Sequence, residues 1–81
     1  MKKNTINKDY ALQVIKESYE EYRRYGDLDD STTIRGYVEA QGDSDPGFFR
    51  WLFNSDDIED FGTNFTDDQK QAYNDFLALL D

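Results

Sequence analysis

Of the 27 charged side chains of this 81-residue chain, 18 are carboxylates. Six of these fall in close pairs, Asp56/Asp57, Glu59/Asp60 and Asp67/Asp68, with Asp43 and Asp45 shortly upstream. Glycosidase-type acid–base work needs two carboxyls in different environments, facing each other across a cleft. Sequence neighbours on polar turns point apart and stay solvated, so these pairs do not read as a catalytic dyad. The chain has no His and no Cys. Their absence removes the commonest general base, the commonest transition-metal ligand, the thiolate nucleophile and any disulfide. No nucleophile–base pair and no Gly-rich phosphate loop replaces them. The expectation is a chain that is not an enzyme, with no catalytic residue, metal or cofactor.

Segment 27–39 resembles the start of an EF-hand loop. Asp27, Asp29 and Ser31 supply oxygens at loop positions one, three and five, and Ile34 is the apolar eighth residue. Thr32, however, stands where the sharp turn needs Gly, and Val38 where the bidentate Glu belongs, with Glu39 one place late. The segment reads as an acidic turn entering a helix, with a degenerate calcium loop as its minor alternative.

The elements that must position these carboxylates are helices. Asn7 is placed to cap a long one, Lys8–Tyr25, with Gly26 as its left-handed terminator. Ala11, Leu12, Ile15, Tyr19 and Tyr22 recur at spacings of three and four and form its apolar face. A second helix is expected from Ser31 or Thr32 to Gln41, with Gly42 as its stop. Its residues also alternate as a strand would, but no partner strand exists for it. The last helix begins after Thr66, where Gln69 completes a capping box, and turns Ala72, Tyr73, Phe76, Leu77, Leu79 and Leu80 inward.

Between them lies Ser44–Asn54, the expected centre of the fold. Asp45 suits an N-cap and Pro46 the first helical position. Phe48, Phe49, Trp51, Leu52 and Phe53 then cover an arc of roughly 200° at about 100° per residue. Other elements should enclose such a helix, leaving Arg50 outside. Ser55 is expected to cap a short turn through Phe61, closed by Gly62. With six Tyr, six Phe and one Trp, the chain makes its core from aromatics, each able to bury ~150–250 Å². The fold class is therefore all-α: a compact single domain over 1–81, of four helices plus a short one, with residues 1–6 frayed. Phe48, Phe49, Trp51 and Phe53 are core residues by their spacing. They are also a candidate contact surface, because so small a domain has difficulty covering them all.

Charge is distributed unevenly. Residues 1–24 carry +2, whereas residues 25–81 carry −11, giving the net −9. From Glu39 to Asp68 nine acidic residues face one base, Arg50. Direct binding to nucleic acid is excluded, since phosphates need cationic partners, and anionic membrane is disfavoured for the same reason. No window is apolar enough to span a bilayer, and the Met-Lys-Lys start leads into polar sequence rather than a signal peptide. The expected compartment is the cytoplasm.

In general character — short, acidic, free of Cys and rich in aromatics — the chain resembles small phage and mobile-element proteins that inhibit host nucleic-acid enzymes, of the anti-restriction and anti-CRISPR kind. That resemblance implies an acidic face acting as a nucleic-acid mimic on a basic, nucleic-acid-binding protein, and it carries no functional residue across. The contact set expected from charge alone is Asp43, Asp45, Asp56, Asp57, Glu59, Asp60, Asp67 and Asp68. The alternative is a structural or adaptor module, or a homodimer, built on the aromatic helix 46–54.

Overall fold

The computed structural model describes residues 5–80, which form helices α1 (Lys8–Arg24), α2 (Ile34–Ser44), α3 (Phe48–Phe53) and α4 (Asp67–Ala78), with one 3-10 turn at Asp60–Gly62. No strand occurs among the described residues: of the 32–41 segment, Ile34 to Gln41 is helical, and Thr32 and Thr33 lead into that helix in extended or irregular backbone. Of the expected frayed terminus, residues 1–4 lie outside the described residues. Ile6 is not frayed: it is buried in the core, because an apolar side chain one residue before a capped helix folds back over its first turn.

The outer helices obey their local signals. Asn7 Oδ1 accepts the Tyr10 N–H at 3.3 Å. At the other end of α1, Gly26 takes φ +77° while its own N–H bonds to Arg23 and that of Asp27 to Tyr22. This paired arrangement satisfies two of the last carbonyls, and glycine adopts it without steric cost. On α4 the Thr66 hydroxyl accepts the Gln69 N–H at 3.1 Å, and Gln69 Oε1 accepts the Thr66 N–H at 2.9 Å. Gln69 itself is buried, so the box also closes the core. Leu79 departs from the expected inward face and is 52% exposed. The helix ends at Ala78, and i→i+3 bonds from Leu79 to Phe76 and Leu80 to Leu77 tighten the last turn, leaving Leu80 inside and Leu79 out.

The centre differs from the local reading. α2 begins only after Thr33, whose hydroxyl caps the Gly36 N–H at 3.0 Å. It then runs through Gly42 rather than stopping there. Gly42 is buried, and a Cβ on it would lie 2.7 Å from Phe49 Cζ. Its role is to let α2 and α3 cross closely. Asp45 and Pro46 do not start α3. The Asp45 N–H closes α2 on Gln41, its carbonyl accepts the Phe48 N–H at 3.1 Å, and its carboxylate accepts the Gly47 N–H at 3.0 Å. Asp followed by Pro also suits the first two places of a type I turn, and that is what the chain makes of them.

α3 is enclosed on most sides. Phe48, Phe49, Leu52 and Phe53 are buried, Phe53 to 1% exposure. Phe49 meets Phe65 and Tyr73 edge-on, with centroids 4.9 and 5.0 Å apart, and Phe53 meets Phe65 at 5.4 Å. This aromatic box ties α3 to α4. A second cluster, Tyr19, Tyr22 and Tyr37, ties α1 to α2 at 5.9 Å.

Candidate functional site

Every member of the acidic set is exposed, but the set is not one patch of equal parts. Asp67 and Asp68 occupy the first turn of α4, Asp43 the last turn of α2, and Asp45 the turn before α3. The members brought together are Asp56, Glu59 and Asp60. They line one shallow depression over Ile58 and Arg50, with Asp57 in the turn beside them.

That loop is held from four sides. Ile58 is buried beneath it. Arg50 Nη1 donates to Asp60 Oδ1 at 2.7 Å and to the Ile58 carbonyl at 3.2 Å. Asn64 accepts the Glu59 N–H at 2.9 Å and donates to the Asp57 carbonyl at 2.8 Å. Ser55, buried, accepts the Asp57 N–H at 3.3 Å, which is the local part of the capping role expected of it. The expected short element is the 3-10 turn Asp60–Gly62, and ahead of it the side chains of Arg50 and Asn64 hold the backbone of 57–59. Arg50 does lie outside the aromatic core, but it is engaged by the loop rather than free. The one base of the acidic stretch is thereby offset locally by Asp60.

At the tip stands Phe61, 47% exposed, with φ +61°. A bulky residue in the left-handed region is strained, and the surrounding bonds hold it there. Local pattern gave no signal for this residue, which reads simply as the last apolar position of a short turn. Gly62 does close the turn, at φ +68°.

The aromatic candidates separate. Phe48, Phe49 and Phe53 belong to the core, whereas Trp51 is 37% exposed and stands 6.2 Å from the exposed Tyr10 of α1. The 27–39 segment, in turn, does not gather its oxygens. Asp29 accepts the Ser31 N–H at 3.1 Å, Asp30 pairs with Arg23 at 3.7 Å, Glu39 pairs with Arg35 at 3.1 Å, and Val38 is fully buried. Among the described residues no group of three or more acidic side chains is arranged to hold a metal ion.

Two tyrosines have raised pKa values. Tyr73 is pushed up to about 12, chiefly by burial, then by the Glu39 and Asp43 carboxylates, with Arg35 opposing. Tyr37 is raised by burial and by Tyr22, against a hydrogen bond with Ser18. No helix of the described residues is long and apolar enough to cross a membrane. Set beside known protein families, curated proteins and solved structures, the chain matches none of them.

Proposed function

We propose that this chain is a non-catalytic binding domain that docks the carboxylate surface of residues 43–68 on a basic protein. The partner class that fits best is an enzyme acting on nucleic acid, with the carboxylates taking the place of phosphates in its basic groove. One observation carries the reading: the loop from Ser55 to Asn64 is fixed by side-chain hydrogen bonds, so that Asp56, Asp57 and Glu59 are held exposed before any partner arrives. A pre-ordered charged loop loses little entropy on binding, and its field raises the rate of encounter with a cationic surface. Phe61 supplies an apolar point within that field. The general character shared with phage and mobile-element inhibitors agrees with this partner class.

The test is capture of basic nucleic-acid-binding proteins from a bacterial lysate at low salt, followed by competition with double-stranded DNA and with RNA. The expected partner elutes at moderate salt and is displaced by nucleic acid. The triple variant Asp56→Lys/Asp57→Lys/Glu59→Lys should lose it, because these side chains are exposed and reversal inverts the field without touching the core. Capture that survives this reversal at low salt, or nucleic acid that binds alongside the chain without displacing it, removes the mimic reading.

A further inference from the structure

The acidic loop uses one flank of α3. The other flank opens on a groove between α1 and the α2–α3 pair. It consists of two depressions that share Trp51 as their common wall. The first lies between the start of α1 and the end of α3, and the second is bounded by Val14 and Tyr22 on one side and by Tyr37 and Phe48 on the other. Tyr10 is 57% exposed, and Tyr22 and Trp51 are 44% and 37% exposed. Trp51 contacts Phe48 at 5.9 Å on its inner side, so its orientation is set by the core. None of the residues lining the two depressions carries a charge.

The size of the depressions argues against a small-molecule site. Their volumes, about 320 and 230 Å³, fall at or below the lower end of ligand pockets, ~300–1,000 Å³. Each suits a single large side chain. Along α1 the first is centred near residues 7–11 and the second near 14–22. The separation is therefore roughly 12 Å at 1.5 Å per helical residue. That distance matches apolar side chains about seven or eight residues apart on one face of an incoming helix, the usual mode of a helix seated in a groove.

Charge selects the occupant. Glu17 and Glu21 are exposed on α1 and follow Val14 and Ser18 by three residues, a helical spacing that puts them beside the groove, at its edge, rather than in its lining. A second copy of this chain would bring the same glutamates and the same net −9 against that edge, since a two-fold contact apposes identical patches. An anionic bilayer meets the same repulsion. A cationic helix gains from it. We propose that the groove formed by Tyr10, Val14, Tyr22 and Trp51, edged by Glu17 and Glu21, is a second docking site that receives a basic amphipathic helix of another protein. It is distinct from the carboxylate loop and does not depend on the function proposed for that loop.

Trp51 is the only tryptophan, so its emission reads the groove directly in the intact chain. The probe is a Trp-free synthetic peptide of about 18 residues, long enough to form a helix, with Leu on one face and Lys elsewhere. One control carries Glu for Lys. A second has the same composition with Leu at every other position, which spoils the helical face. The expected result is a saturable blue shift of Trp51 emission with the first peptide alone. Tyr10→Ala and the pair Glu17→Lys/Glu21→Lys should each weaken binding about tenfold, as truncation of an interface anchor does. These residues are exposed, so unchanged circular dichroism verifies the fold of each variant. At physiological salt, where exposed charges more than about 8 Å apart are largely screened, Asp56→Lys/Asp57→Lys/Glu59→Lys should change the affinity far less than the groove variants do, which separates failure of this site from failure of the loop. The proposal is overturned by the absence of a saturable shift, or by an equal response to either control peptide. Equal sensitivity to the loop reversal would reduce it to general attraction of opposite charge. Emission that varies with protein concentration and ignores the peptide would assign the groove to a second copy instead.

Discussion

The two flanks of α3 are built by opposite means. On one, Arg50 reaches across to Ile58 and Asp60, and the loop keeps its shape through hydrogen bonds to side chains. On the other, Trp51 rests on Phe48 and faces Tyr10, and ring contacts set the geometry. Adjacent residues of one short helix thus divide charge from apolar surface. Hydrogen-bonded loops open locally when their bonds are broken, whereas packed walls move only with the core behind them. The two surfaces should therefore fail separately under different changes, and together only when α3 itself is lost.

The largest effect should come from removing what both flanks share. Phe53→Ala deletes a ring that is 1% exposed, a change that costs ~3–5 kcal/mol. A single small core supplies only about 3–5 kcal/mol of net stability. The variant should be unfolded at 25 °C, with helical circular dichroism and the folded-state Trp51 emission both lost. A cooperative melt near that of the parent would show that α3 is not the common support.

Gly42→Ala tests the packed flank. The added methyl would sit 2.7 Å from Phe49 Cζ, and such overpacking costs ~1–3 kcal/mol. At about 4–8 °C per kcal/mol for a domain of this size, the melting temperature should fall clearly. Displacing α2 from α3 should also change Trp51 emission, while amide exchange at Gly62 and Thr63 keeps its rate. Phe61 tests the loop flank in the same way. Phe61→Gly should be more stable than Phe61→Ala by ~1 kcal/mol, because only glycine takes φ +61° without steric cost. That difference should leave Trp51 emission untouched. Equal stability of the two variants would mean that the loop relaxes out of the left-handed region.

What the sequence made legible follows from how local each signal is. α1 and α4 were readable almost to the residue because Asn7, Gly26, Thr66 and Gln69 act on backbone groups three or four positions away. The α2–α3 junction was not. Gly42 has the chemistry of a helix stop, and only Phe49 across the crossing makes it an interior residue. Asp45 and Pro46 suit a helix start and a type I turn equally well, and the end of α2 decides between them. Helical spacing placed Phe48, Phe49, Trp51 and Phe53 on one broad arc, but which ring stays outside depends on where α1 lies. At the acidic surface the exposure of the carboxylates was legible, since charged side chains rarely go inside without a partner. The pairing of Arg50 with Asp60 and the conformation of Phe61 depend on Asn64 and Ile58, which periodicity does not link to them.

The smallest effect belongs to neither flank, and it serves as the control for both. Tyr73 joins α4 to the aromatic box, and burial together with Glu39 and Asp43 holds its phenol up at about 12, against an ordinary 10.0. The folded chain therefore keeps this proton more tightly than the unfolded chain does. Stability from the neutral phenol is complete below about pH 10 and declines as pH rises toward 12, because only the unfolded state ionises freely in that interval. Tyr37, also raised, adds a loss of the same sign. Tyr73→Phe removes one of the two raised titrations, so its melting temperature should fall less steeply than that of the parent as pH rises from about 10 toward 12. At pH 7 the phenol is neutral in both states, and the two proteins should differ little. Neither Trp51 emission nor loop exchange should respond to this substitution at neutral pH. If the alkaline slope is unchanged in Tyr73→Phe, the Tyr73 phenol is open to water, and the aromatic box is a looser support for α3 than its ring distances imply.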